Sequence, residues 1–212
     1  MRNERDYIKF PFVEKMVKTV RKELEGVVLD VGCGDGIVTY KHKKTIGIDI
    51  LEKKYIKEHK IEYGFFPIPI VKGDAHCLPF NRCIFDTVLL SHILEHSDNS
   101  NIILSEVKRV LKPSGKIIVV SPNSHSLKSF MFSRMGINDK YAFVPEHKRF
   151  FTFTSLKKIL ENNGFKIEKE ENTCLDISLF HKFSFIMRMF QKLGNLNKIL
   201  SMDIILVGRN TN

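Results

Sequence analysis

No apolar run in this chain of 212 residues approaches the ~20 residues that a membrane-spanning helix needs. The first residues, Met1–Asp6, are mostly charged and lack the apolar core of a secretory signal. The cysteines form no CxxC pair and no metal-ligand spacing; they are Cys33, Cys77, Cys83 and Cys174. We therefore expect neither export nor a disulfide framework, and predict a cytoplasmic protein with buried thiols.

Acidic residues are scarce beside basic ones, 24 against 34, which gives a net charge of +10. Residues 112–138 and 177–202 contain no Asp or Glu. This balance is typical either of solubility alone or of an acidic partner, such as nucleic acid, a phosphorylated metabolite or a lipid surface. Repeats and low-complexity segments are absent, and the length suits one domain over 1–212.

The most informative stretch is a glycine-rich loop that follows a short apolar run. Four of the five residues in Val27–Val31 are apolar, and Gly32, Gly34 and Gly36 then come at alternate positions. The pattern predicts a buried strand, a loop and a short helix, with free backbone N–H groups facing a polar or anionic ligand. It differs from the dinucleotide fingerprint, because the third glycine comes one position early and Asp30 stands at the strand end.

Two further predicted strands also end in a carboxylate. Asp49 closes the strand 45–50, where it can accept both hydroxyls of a ribose, or cap the following helix together with Glu52. Asp74 follows a third strand over 69–72 and would also suit an ordinary turn.

Periodicity and punctuation predict the remaining elements. The predicted helices are 6–25, 101–111 and 154–163, and the predicted strands are 85–91, 116–121, 165–168 and 203–208.

Several motifs stand in a fixed order along the first part of the chain. They are D-V-G-C-G-D-G at 30–36, G-D-A-x-x-L-P-F at 73–80, F-D-x-V at 85–88, L-E-H at 94–96 and E-V-K-R-V-L-K-P-S-G-K at 106–116. Together they resemble the class I S-adenosylmethionine-dependent methyltransferases, and in particular the small-molecule enzymes of the ubiquinone pathway. The resemblance implies an α/β fold, namely a doubly wound, seven-stranded, mostly parallel sheet with an antiparallel last strand.

The same resemblance implies S-adenosyl-L-methionine as cofactor. Asp30 and the glycine loop would hold its methionine end, Asp49 its ribose and Asp74 its adenine amino group. The implied cofactor-binding residues are Asp30, Gly32, Cys33, Gly34, Gly36, Asp49, Ile50, Asp74, Ala75 and Ser91.

Transfer of a methyl group to a hydroxyl also needs a base, and three histidines are candidates for it. They are His92, His96 and His147, each equally suited to a structural, hydrogen-bonded role. His92-x-x-Glu95-His96 also spells an inverted zinc-protease signature, which is discounted here because it follows a buried strand. Ubiquinone-pathway O-methyltransferases have E-x-x-E-H there, a segment implicated in metal binding. Because His92 replaces the first Glu, we assign no metal ligand, and a divalent cation stays open as an alternative.

Absent motifs narrow the acceptor. The chain has neither the D/N-P-P-Y/F motif of enzymes that methylate amino groups nor the Pro-Cys pair of those that attack pyrimidines, and it shows no RNA-binding module. We therefore predict methyl transfer to a small or lipid-like molecule, on oxygen, with nucleic acid the weaker partner. The alternatives are a catalytically silent S-adenosylmethionine-binding domain, an RNA methyltransferase and, against the glycine spacing, an oxidoreductase.

The predicted organisation is a helix over 1–25, a cofactor-binding half over 26–120 and acceptor-side segments over 121–153 and 172–201. Apolar residues recur at helical spacing in the last segment, with basic residues between them: Ile177, Phe180, Phe183, Ile186, Phe190 and Leu193. Such a helix either packs on the core or forms a hydrophobic, positively charged mouth for a hydrophobic or anionic acceptor, with contact to a membrane surface.

Overall fold

The computed structural model describes residues 11–34, 36–50, 68–124, 126, 147–173 and 201–211. Its strands are β1 (Val28–Val31), β2 (Thr45–Asp49), β3 (Ile70–Lys72), β4 (Phe85–Ser91), β5 (Leu111–Pro122), β6 (Phe165–Asn172) and β7 (Asp203–Asn210). Its α-helices are α1 (Pro11–Glu23), α2 (Ser100–Val110) and α3 (Phe153–Asn162), with a 3₁₀ turn at Leu94–His96. None of these helices is long and apolar enough to cross a membrane.

The strands form one seven-stranded sheet in the order β3-β2-β1-β4-β5-β7-β6. Strands β1 to β5 pair in parallel, whereas β7 runs antiparallel to both of its neighbours. The predicted α/β fold with a reversed last strand is therefore confirmed.

Both faces of the sheet are covered, so its central strands carry apolar residues on both sides. Alternate residues such as Leu89 and Ile118 pack against Met16, Val17 and Val20 of α1. The residues between them on β4 and β5 join the opposite core cluster, which also contains the apolar sides of α2 and α3. The apolar face of α1 is thus core, as its periodicity predicted.

The two strand boundaries that differ most from prediction are explained by strand pairing. Strand β5 begins at Leu111 rather than at residue 116, because Leu111 already pairs with Phe85 on β4. Strand β6 continues past residue 168 to Asn172, because its partner β7 continues alongside as far as Ile204.

The helix predicted after the glycine loop is wrong, since residues 37–41 form turns. The side chain of Arg21 on α1 donates to the carbonyl oxygens of Ile37 at 2.7 Å and Val38 at 2.9 Å. The hydroxyl of Thr39 donates to Asp30 at 2.6 Å. Carbonyl groups that a helix would use internally are bonded to Arg21 instead.

The prediction of buried thiols holds for only one of the described cysteines. Cys33 is buried, but Cys77 and Cys83 are exposed, and none of these three forms a disulfide. Cys83 lies at φ 57° in the turn before β4, which puts its side chain outside the core. Cys174 lies outside the described residues.

A salt-bridged clamp fastens the segment that follows β3 onto α2. Both carboxylate oxygens of Glu106 accept hydrogen bonds from Arg109, at 2.8 and 2.7 Å. The guanidinium also donates to the carbonyl oxygens of Leu78 and Phe80, and the N–H of Leu78 donates to Glu106 at 2.8 Å. This clamp fixes the C-terminal end of the loop that carries Asp74.

We expect Glu106→Gln to lower the free energy of unfolding at pH 7 by about 1.5–3 kcal/mol, because it removes charge-assisted hydrogen bonds. The hydrogen bond from Arg109 holds the pKa of Glu106 below its usual value. The contribution is therefore present above the unfolded pKa and is lost as pH falls through the folded one. Urea unfolding at several pH values should show the difference between the two proteins shrinking as pH falls below about 4.3, the pKa of an unperturbed Glu. Glu14→Gln, which breaks an exposed pair with Lys18, should change stability by less than about 1 kcal/mol; a constant difference for Glu106→Gln down to low pH would contradict the assignment.

Candidate active site

A cavity of about 610 Å³ opens at the carboxyl ends of β1 to β4. In chain order the strands turn from one side of β1 to the other between β3 and β4, and ligands of open α/β sheets bind at such switch points. Its volume lies in the range of small-molecule sites. The lining residues are Val31, Gly32, Ile48, Asp49, Ile50, Gly73, Asp74, Ala75, His76, His92, Ile93, His96, Ser97, Ile103 and Lys148.

The glycine loop closes one wall, and two of its glycines are required by geometry. Gly32 has φ 67°, and a Cβ there would lie 2.8 Å from the side chain of Ile93. Gly34 has φ 51°, and the position of its missing Cβ is open, with no atom within 4 Å. Glycine adopts the positive φ of both positions without strain, and at Gly32 any side chain would also meet Ile93.

The prediction that the loop offers free N–H groups is wrong for the described glycines. The N–H of Gly32 donates to the carbonyl oxygen of Ile48 at 2.8 Å, and that of Gly34 to Oδ2 of Asp49 at 2.8 Å. The N–H of Gly36 donates to Cys33 within the loop at 2.8 Å. The loop therefore uses its donors to bind itself to β2.

Five of the predicted cofactor-binding residues do not line the cavity, namely Asp30, Cys33, Gly34, Gly36 and Ser91. Asp30 is buried and accepts the hydrogen bond from Thr39. The Cys33 thiol fills the space over Gly47, where a Cβ would lie 2.5 Å from its sulfur. The N–H of Gly36 closes the loop by donating to the carbonyl oxygen of Cys33. Ser91 is the last residue of β4 and pairs with Val120 on β5.

Asp49 and Ile50 lie at the end of β2 and line the cavity directly. The bond from Gly34 turns the Asp49 carboxylate toward the glycine loop. Ile50 is 68% exposed, so its apolar surface can pack on a planar ring. The helix-capping alternative for Asp49 involves Glu52, which lies outside the described residues.

On the neighbouring wall Asp74 belongs to a hydrogen-bonded chain that sequence reasoning missed. Oδ1 of Asp74 lies 2.8 Å from the backbone nitrogen of His76 and 2.7 Å from its Nδ1. The other ring nitrogen of His76 lies 2.9 Å from Oγ of Ser97. The backbone hydrogen bond of His76, together with the one from its ring, lowers the pKa of Asp74. The only available signal was that His76 directly follows Gly73-Asp74-Ala75.

His92 is held between two carboxylates. Its Nδ1 lies 3.3 Å from Oε1 of the buried Glu95, and its Nε2 lies 3.8 Å from Oδ1 of Asp203, the first residue of β7. Desolvation lowers the pKa of His92, but the carboxylates of Glu95 and Asp203 outweigh it and raise the pKa to about 9. At neutral pH His92 is therefore a protonated partner of two acids, and neither of its nitrogens is placed to take a proton.

His96 lines the cavity, and His147 packs against it from another part of the chain. Their ring centroids lie 4.8 Å apart in an edge-to-face arrangement. The backbone N–H groups of Lys148 and Arg149 both donate to the carbonyl oxygen of Glu95, at 2.8 and 3.0 Å. These bonds tie the segment after residue 146 to the 3₁₀ turn and so bring the two histidines together.

The donor atoms of Glu95, His96 and His147 all lie within 4.8 Å of one another, so a cation could be held between them. Carboxylate and imidazole ligands suit several divalent ions. The prediction that no metal is used stays a prediction.

The predicted helix over residues 177–193, and most of both acceptor-side segments, lie outside the described residues.

A family model described as a methyltransferase domain matches residues 1–170. The chain is 26% identical, over 80% of its length and 81% of the relative, to a ubiquinone/menaquinone biosynthesis C-methyltransferase of Teredinibacter turnerae. It is 27% identical, over 76% of its length, to the mitochondrial ubiquinone biosynthesis O-methyltransferase of Rattus norvegicus, of which it spans only 52%. A solved SAM-dependent methyltransferase of Thermotoga maritima, 18% identical, superposes with a TM-score of 0.69 over 96% of this chain and 90% of its own.

Proposed function

Because the chain belongs to the class I S-adenosylmethionine-dependent methyltransferases, we propose that it methylates a hydroxyl oxygen of a hydrophobic, quinol-like small molecule. The relatives named above act in ubiquinone and menaquinone biosynthesis, one on oxygen and one on carbon. The observation that carries the choice of oxygen is the imidazole of His96, which lines the same cavity as Asp49 and Asp74.

The cavity residues fit the cofactor. We assign the ribose hydroxyls to the Asp49 carboxylate, the adenine amino group to Asp74 and one face of the adenine ring to Ile50. The open space at Gly34 leaves room for the rest of the cofactor beside the loop. When bound, S-adenosylmethionine supplies an electrophilic methyl group, so the protein has to align the acceptor and exclude water.

His96 is the base in this proposal. Its imidazole takes the proton of the acceptor hydroxyl as that oxygen attacks, and the edge-on ring of His147 holds it in place. His92 is the weaker candidate because both of its nitrogens face carboxylates. The predicted hydrophobic mouth and membrane contact concern residues outside the described ones and stay predictions.

The proposal predicts transfer of labelled methyl from S-adenosylmethionine to a prenylated quinol with a free ring hydroxyl. The same quinol with that hydroxyl already methylated should accept no label. The position of the methyl group is read by NMR of the product. A methyl group on ring carbon would overturn the choice of oxygen, and label entering total RNA but no quinol would overturn the acceptor class.

A further inference from the structure

We propose that His76 is a positioning residue for cofactor selectivity, which holds the Asp74 carboxylate in the orientation that recognises an adenine amino group. The inference rests on the assignment of Asp74 to adenine in the proposed function. It concerns a residue that lines the cavity and that no motif of the chain singled out.

The direction of each hydrogen bond follows from its partners. An ionised carboxylate only accepts, so Nδ1 of His76 carries a proton and donates to Oδ1 of Asp74. With its proton on Nδ1, the ring can accept at Nε2 from the hydroxyl of Ser97. That hydroxyl oxygen in turn accepts from the N–H of Asn99 at 3.1 Å. Every group in the chain of bonds has one consistent role.

The two ends of this chain differ in exposure. The Asp74 side chain is 62% exposed, whereas Ser97 is buried and bonded through its backbone N–H to Leu94. An exposed carboxylate with free rotation would have to be ordered on binding, at a cost in affinity. The hydrogen bond with Ser97 fixes the ring of His76. The backbone and ring donors of His76 then fix the Asp74 side chain, since both bind Oδ1. Oδ2 is thereby directed away from these donors and toward a ligand.

The test compares S-adenosylhomocysteine with S-inosylhomocysteine, which has a carbonyl in place of the adenine amino group. Calorimetry on the full chain should show that His76→Ala weakens the adenosyl ligand by about 2- to 10-fold and changes the affinity for the inosyl ligand by less than about 2-fold. His76→Asn, whose amide can replace the Nδ1 donor, should recover part of the loss. His42→Ala removes a histidine bonded to Thr45 away from the cavity and should leave both affinities unchanged.

Each result bears on the inference. An equal loss for both ligands would mean a merely structural role and would overturn it, as would no loss at all. Melting curves identify a variant that has failed to fold, and His76→Asn then decides the question. If the wild type does not prefer the adenosyl ligand, or if Asp74→Ala keeps that preference, the adenine assignment fails, and the inference with it. Binding of neither ligand would instead overturn the proposed function.

Discussion

The His96→Ala variant should bind S-adenosylmethionine as tightly as the wild type and lose about 10²- to 10⁴-fold in kcat. The cofactor contacts proposed here come from the ends of β2 and β3, whereas His96 acts only on the acceptor. The loss should therefore appear in single-turnover rates at saturating cofactor, while calorimetry gives an unchanged Kd.

The controls for His96 separate a base from a metal ligand. A chelator should leave the wild-type rate unchanged if the imidazole itself takes the proton. Activity that vanishes with a chelator and returns with a divalent ion would assign His96, with Glu95 and His147, to a cation instead. His92→Asn suits the left-handed backbone of His92, at φ 54°, and should keep more activity than His96→Ala.

Asp49→Ala should weaken the binding of S-adenosylmethionine by roughly 10- to 100-fold or more. Hydrogen bonds to a charged carboxylate contribute about 1.5–3 kcal/mol each, and the substitution removes those to the ribose. It also removes the acceptor of the Gly34 N–H, which loosens the loop from β2. Asn at the same position keeps one oxygen for Gly34 but cannot accept both hydroxyls, so its loss should be intermediate.

Asp98 provides a matched control for this measurement. It is an exposed acid near the cavity, paired with Lys148, and Asp98→Asn removes the same charge without a proposed ribose contact. Its Kd should stay within about 2-fold of the wild type, because exposed charge pairs contribute little. An unchanged Kd for Asp49→Ala in calorimetry would overturn the ribose assignment.

The sequence predicted the strands well because each carries its own local signal. Residues 85–91 form β4 as predicted, and Asp49 and Asp74 lie at the cavity because parallel strands bring their carboxyl ends to one edge. The turns after Gly36 were not predictable in this way. They depend on Arg21, which lies on α1 and donates to the carbonyl oxygens that a local helix would use for its own hydrogen bonds.

The same limit explains what was missed at the site. The contact between His76 and Ser97 joins residues 21 positions apart, and the pair of His92 and Asp203 joins β7 to the turn after β4. No rule of sequence spacing predicts such contacts, because they arise only when the strands have assembled into the sheet. For the same reason His92, His96 and His147 were equivalent as candidates in the sequence and differ only by their neighbours in space.

The position of β7 has a consequence for how the chain is made. A ribosome releases Asp203–Asn210 after all the other strands, yet this strand occupies the place between β5 and β6. Until it emerges, β5 has an unpaired edge with the apolar residues Ile117–Val120, and β6 has no neighbour to pair with. Until β7 pairs with it, the edge of β5 is therefore prone to aggregation in the nascent chain. Pairing of strands that are far apart in the sequence is slow. Because Asp203 begins that strand, His92 gains its second carboxylate partner only when β7 is in place.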